Sequence, residues 1–229
     1  MNNYIWDKLF QKYEQSVKKD GNADFAYERL VNTLSILSLC DNFGIALDLG
    51  CGDGRFTKEI EVRYQKTFAV DLSREMLNQA RKVCHNTTFL KIDLEKEFPN
   101  FNTKFDLITC KLVLMYLSNI ENLAKETYKI LNKNGILVVS VTHPMKWMDK
   151  TSYLKEDIVP GEIANDRNLK VTFKSRTIQT YINTFTKYGF RLEVVLETGV
   201  PDSFVVKYPH YLAFQKKPYR LNLKFVKKS

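Results

Sequence analysis

The sequence predicts an α/β fold: a doubly wound, seven-stranded, mostly parallel sheet with one antiparallel edge strand and helices on both faces. Three observations carry that expectation. From Gly44 onward, short apolar runs alternate with amphipathic helical periods, the signature of right-handed crossovers between parallel strands. Three of the nine glycines, Gly50, Gly52 and Gly54, alternate directly after the first apolar run, in ALDLGCGDGRF. Acidic residues then close the first three runs, at Asp48, Asp71 and Asp93. Those are the carboxyl ends of strands, where such a sheet binds its ligands.

The elements follow in order. In the N-terminal region Trp6, Leu9, Phe10 and Tyr13 share one helical face, and a second helix is expected over about 25–39. GIALDLG reads as a strand, GRFTKEIEVRY as a helix and KTFAVDL as a strand. Ser73 is placed to cap SREMLNQARKVC, whose Met76, Leu77, Ala80 and Cys84 share a face. TTFLKIDL and FDLITCKLVL are the next strands, and a helix from about Asn119 opens on a Ser118 to Glu121 capping-box spacing. Asn134-Gly135 turns into ILVVSVT. After Pro144 the regularity lapses over about 144–176, a stretch long enough to be a lid or binding element. Ile178, Tyr181, Ile182 and Phe185 then form a helical stripe ending at Gly189, with RLEVVLE and YLAFQKK as closing strands.

Composition narrows the function. No run reaches the ~18 apolar residues of a membrane span, and MNNYIWDKLFQKYEQ lacks the pattern of a secretory signal. The cysteines, Cys40, Cys51, Cys84 and Cys110, form no CxxC pair, so reduced thiols in the cytoplasm are expected, with no metal site. The net charge of +9 raises a nucleic-acid reading. Lysines are scattered, however, and densest at the tail: Lys216, Lys217, Arg220, Lys224, Lys227 and Lys228. A solvated surface, or lysine stems laid over the core, explains them as well.

The glycine turn is not a dinucleotide fingerprint, because Arg55 stands where the third glycine of GxGxxG belongs, and no GKS or GKT makes a P-loop. Acids before and inside the turn would repel a pyrophosphate and suit a ligand with cationic groups. Each acid also has a plain structural reading: Asp48 as a helix cap, Asp71 as a partner of Ser73 in capping, Asp93 as a turn acid.

Together, ALDLGCGDG, FAVDLS, KIDL, FDLITCKLVLMYL and LNKNGILVVSVTHP resemble the class I S-adenosylmethionine-dependent methyltransferases, in their compact small-molecule branch. The resemblance runs from about Ala46 to Phe214 and implies a Rossmann-like core over 41–229, with 1–40 as a helical cap and 144–176 as a substrate lid. It implies that Gly50, Cys51 and Gly52 approach the amino-acid part of the cofactor and that Asp48 orients the turn. Asp71 would accept from both ribose hydroxyls. Leu72 and Met76 would sandwich adenine, and Asp93 and Leu94 would bond its edge. Lys111 would meet the methionyl part through its backbone, with Tyr13 and Arg29 closing over the carboxylate.

Methyl transfer is an in-line displacement in which the protein supplies mainly alignment, and a base is needed only for a protonated acceptor. Of the three histidines, His143 ends the fifth strand on the crevice side and is either a base or a turn-pinning residue. Tyr153 is the substitute base. Arg176, with Tyr181, would steer a carboxylate or phenolate. Trp147, Met148, Tyr153 and Phe173 either line an acceptor pocket or pack the lid. The expected partner is a small-molecule acceptor, such as a secondary metabolite, methylated on O, N or C; neither nucleic acid nor membrane is expected. The competing readings are a nucleic-acid methyltransferase, whose NPPY-like and Pro-Cys signatures are missing from the chain, and a non-catalytic cofactor-binding regulator.

Overall fold

The computed structural model describes residues 5–18, 22–41, 43–163 and 166–228. Parts of the expected cap (1–4 and 19–21) and of the expected lid (164–165) lie outside the described residues.

Helix α1 (Ile5–Lys18) is followed by a nearly continuous helical segment: α2 (Ala23–Tyr27), a π turn over Glu28–Asn32, and α3 (Thr33–Leu37). The core then alternates: β1 (Ile45–Leu49), α4 (Arg55–Glu61), β2 (Lys66–Asp71), α5 (Arg74–Val83), β3 (Thr87–Lys91), β4 (Phe105–Lys111), α6 (Glu121–Ile130) and β5 (Leu131–Thr142). Strands β6 (Ile158–Glu162) and β7 (Lys170–Lys174) form a separate antiparallel hairpin. The chain ends with α7 (Ile178–Lys187), β8 (Phe190–Thr198), α8 (Asp202–Lys207) and β9 (Arg220–Lys227).

The main sheet has seven strands in the order β3-β2-β1-β4-β5-β9-β8. All pairs from β3 through β5 are parallel, whereas β9 runs antiparallel to both β5 and β8. The antiparallel strand therefore lies second from the edge, and β8 is the edge strand.

Strand alternation divides the apolar residues between two layers. Leu47, Leu49, Ile108, Val139 and Leu223 pack towards Leu123, Ala124, Tyr181 and Phe185 of α6 and α7. Ala46, Leu107, Ile136 and Val138 pack towards Ile36 of α3 and Phe56 and Ile60 of α4. Burial on both faces explains why β1, β4 and β5 read as continuous apolar runs.

Three local expectations are corrected. YLAFQKK is not a strand: Pro209–Lys216 is a 3₁₀ segment, in which Tyr211 and Phe214, three residues apart, face the same aromatic cluster as Tyr27, Phe204 and Tyr219. The closing strand is RLNLKFVK, masked in the sequence by its lysines. Lys224 reaches Glu193 at 3.0 Å, and the Lys227 ammonium donates to the carbonyls of Tyr128 and Leu131. Two residues of the basic tail are thus tied to the sheet. Finally, Ser118 does not cap α6, because its N–H and hydroxyl both donate to Glu95, while Asn119 accepts from the Glu121 N–H at 2.8 Å.

Candidate active site

The carboxyl ends of β1 to β5 open into one cavity of about 950 Å³. Strand β1 delivers the glycine turn to its floor. The N–H groups of Gly50 and Cys51 both donate to the Val70 carbonyl, at 2.8 and 3.0 Å, so the chain reverses tightly against β2. Gly50 has φ +74° and a Cβ there would meet Val113 Cγ2 at 2.2 Å. Gly52 has φ +54°, yet a Cβ on it would meet nothing within 4 Å. Its side faces the open cavity, so packing alone leaves room there for a side chain, while a ligand approaching the backbone would need that space.

The acids stand around this turn. Asp48 is buried and accepts from the hydroxyls of Thr57 (2.6 Å) and Thr109 (2.9 Å), fastening β1 to α4 and β4. Burial raises its pKa against the opposing effect of those bonds and of Lys111. Asp71 accepts from the Gly52 N–H and the Ser73 N–H, both at 2.9 Å. One carboxylate therefore holds the glycine turn and the start of α5 together. Ser73 in turn caps α5 through the Met76 N–H at 3.2 Å. Burial lifts Asp71 to about 6 even though backbone N–H groups oppose the rise. Asp93 accepts from the Glu95 N–H at 3.1 Å and lies 3.5 Å from Lys96. It serves its turn and also lines the cavity.

The cavity is further lined by Cys51, Leu72, Met76, Leu94, Lys111, Tyr13 and Arg29. All twelve residues proposed from sequence for the cofactor are therefore brought to one space. Tyr13 closes over the turn by donating to Asp53 (3.3 Å), which is ion-paired to Arg55. The Lys111 ammonium turns to Glu28 of the π turn. The residues fit an adenosyl group in their chemistry: apolar Leu72 and Met76 beside the acids, and a backbone cradle at Gly52 that a Cβ would fill.

The three residues proposed for catalysis are not brought there, and each has another task. His143 is fully buried; its Nδ1 accepts from the Met145 N–H (3.2 Å) and its Nε2 faces Glu197 at 2.7 Å. It pins the turn after β5 and does not line the cavity. The Tyr153 hydroxyl accepts from the Ile178 N–H at 3.1 Å, fixing the start of α7. Arg176 donates to the carbonyls of Leu114, Leu117 and Ser118, within 3.0 Å, and holds the loop after β4. Tyr181 belongs to the core, and among the lid aromatics Trp147 is buried behind Phe173 while only Phe173 lines the cavity.

Sequence reasoning missed the far wall. Glu28 sits between Lys111 (2.7 Å) and Arg220 (2.6 Å), with Asn32 donating to it at 2.9 Å. Asp24 accepts from the hydroxyls of Tyr211 and Tyr219. Lys146, three residues beyond His143, also faces the cavity. Another part of the lining is aromatic, with Trp6 edge-on to Tyr116 at 5.3 Å and Tyr116 beside Phe173 at 5.2 Å. Trp6 was legible only as one position of a helical face. The charged residues come from four separate elements, and no local spacing joins them.

A family model described as a methyltransferase domain matches residues 47–139. That span holds the glycine turn and all three strand-end acids. Over those residues the chain is similar to a methyltransferase domain. A solved S-adenosylmethionine-dependent methyltransferase from Mesorhizobium loti shares the fold at a TM-score of 0.70 and 23% identity, over 91% of this chain and 99% of that one. Among curated proteins, a malonyl-[acyl-carrier protein] O-methyltransferase of Legionella pneumophila is 35% identical over 43% of this chain and 36% of its own length. A trans-aconitate 2-methyltransferase of Escherichia coli is 27% identical over 74% of this chain and 66% of its own. The chain thus matches little more than a third of the first of these relatives. Neither relative favours the nucleic-acid or the regulator reading. Among the described residues no helix is long and apolar enough to cross a membrane, and no three His, Cys, Asp or Glu side chains group as a metal site.

Proposed function

We propose that the protein transfers the methyl group of S-adenosylmethionine to an oxygen, nitrogen or carbon nucleophile of a small molecule. The observation that carries this reading is the one cavity lined both by the Gly50–Gly52 turn, Asp71 and Asp93 and by the aromatic rings of Trp6, Tyr116 and Phe173. The cofactor, when bound, supplies an activated methyl on a sulfonium.

The protein's own residues do the rest. The Gly52 backbone leaves space at the turn, and Asp71 offers remaining carboxylate lone pairs to a diol. Leu72 and Met76 present apolar surface on which a flat ring packs. The caps, α1 and the β6–β7 hairpin, supply apolar packing beside the cavity: Ile5 and Leu9 pack with Met115, Trp147 and Phe173. An acceptor enclosed there is aligned with the methyl, which supplies most of what an in-line transfer needs. With His143, Tyr153 and Arg176 committed to structural bonds, the reading requires no base from them.

The test is calorimetric titration with S-adenosylmethionine and S-adenosylhomocysteine, followed by incubation of the protein with labelled cofactor and a metabolite extract. Saturable cofactor binding and label in the small-molecule fraction are expected. A folded protein that bound neither cofactor form would end the reading.

A further inference from the structure

Lys146 lies on the 3₁₀ turn that follows β5 and lines the cavity. Its ammonium has no carboxylate within pairing distance among the described residues. It stands instead over the rings of Trp147 (5.7 Å) and Tyr219 (5.8 Å). Ring faces compensate a cation only in part, and an ammonium removed from water without a counter-ion is costly.

Two nearby carboxylates are engaged elsewhere, and Glu162, exposed on β6, makes no ion pair with it. Glu28 is divided between Lys111 and Arg220. Asp24 is taken by two tyrosine hydroxyls. Arg220 is itself buried and adds its own positive field from β9. Glu28 and Asp24 thus leave Lys146 without a direct counter-ion beside Lys111 and Arg220, and Glu162 acts on it only from beyond pairing distance. The aromatic rings of Trp6, Tyr116 and Phe173 line the same space.

We propose that Lys146 is the anchor for a carboxylate on the methyl acceptor, and that the acceptor is a small organic acid whose apolar part lies against Trp6, Tyr116 and Phe173. The assignment rests on the methyl-transfer reading of this cavity and narrows it to one substrate class. An entering carboxylate would take the bonds that no protein group takes, and a charge-assisted contact to this half-buried ammonium is stronger than a neutral one. Burial, with Arg220 behind it, lowers the Lys146 pKa to about 8, against the opposing fields of Asp24 and Glu162, while Lys150 on the same turn adds to the lowering. An anionic ligand would reverse that depression.

The experiment uses three probes of one shape, phenylacetate, phenylacetamide and phenethylamine, titrated into the full chain saturated with S-adenosylhomocysteine. Phenylacetate should bind at least ~10-fold more tightly than the amide, with the amine weakest. Lys146→Met should erase the gap between acid and amide and leave S-adenosylhomocysteine affinity unchanged, while Lys146→Arg should keep the gap. In the wild type, phenylacetate affinity should fall as pH rises above about 8, where the free ammonium loses its proton; this arm needs no variant to fold. An amide or amine that binds as well as the acid, no detectable acid binding, or a gap that survives in Lys146→Met would overturn the proposal. If the wild type does not take S-adenosylhomocysteine at all, the methyl-transfer reading falls and this one with it. If it does, the probes alone decide.

Discussion

Glu28 places Oε2 at 2.7 Å from the ammonium of Lys111, joining the N-terminal helical segment to the end of β4. Its other oxygen lies 2.6 Å from Arg220 Nε at the start of β9. Burial alone would raise the Glu28 pKa, but the two cations outweigh it and hold the group at about 2. Because that value is depressed, the stabilisation is present above the ordinary carboxylate range, about 4.3, and is lost as pH falls towards about 2.

Glu28→Ala would leave two cations facing each other at the cavity wall. It should cost about 2–3 kcal/mol of stability, below the figure for a fully buried pair because the cavity is open to water. It should also remove the wild-type loss of stability between those two pH values. Denaturant melts across pH would show this; an unchanged midpoint in the variant would mean that the N-terminal segment is held by packing alone.

Asp71 behaves in the opposite sense. Burial raises it to about 6, so its ionised form is penalised in the ligand-free protein at neutral pH, and its own contribution to stability grows as pH falls through that value. Bonds from a ribose diol favour the ionised form. Cofactor affinity should therefore fall as pH drops below about 6, although the protein is not unfolding. Asp71→Asn should lose about 1–3 kcal/mol of binding and abolish this pH step. Titrations at several pH values check both, and a step that persists in the variant would move it to another group.

Gly52 tests the cradle by a different route. No protein atom lies within 4 Å of a Cβ built there, so Gly52→Val meets no clash on folding. The positive φ still costs about 1–2 kcal/mol. The variant should fold with a lowered melting temperature and fail to bind S-adenosylhomocysteine. A folded variant that binds normally would show that the ligand does not approach this backbone.

That these residues gather on one cavity was legible because they are local: a glycine turn and one acid at the end of each of three successive strands. Spacing along the chain is then spacing along the sheet edge. The far wall was not legible, since Asp24, Glu28, Lys146 and Arg220 come from α2, the π turn, the segment after β5 and β9. Only the fold brings them together. β9 itself was missed because a strand buried on both faces does not alternate, and lysines at its end carried the look of a solvated tail. Arg176 and Tyr153 were legible as polar residues near the crevice, but sequence does not reveal that backbone groups already claim them.

His143 shows the same limit most sharply, and its variant separates two roles. Its Nδ1 accepts from the Met145 N–H, so the ring proton sits on Nε2 and is donated to Glu197. Burial lowers its pKa, with Glu197 opposing. A histidine held neutral in the folded state costs stability as pH falls through the ordinary imidazole range, about 6.5, because the unfolded chain takes up the proton first. His143→Gln should leave one of these two bonds of the buried ring unmade and cost about 1–3 kcal/mol. It should also flatten the wild-type dependence of stability on pH around 6.5 and leave cofactor affinity unchanged. A base would behave otherwise: turnover would fall about 10²–10⁴-fold with melting unchanged, and the acid limb of the rate profile would vanish. Melting curves and single-turnover rates on the same variant discriminate the two, and the second pattern would return His143 to the chemistry.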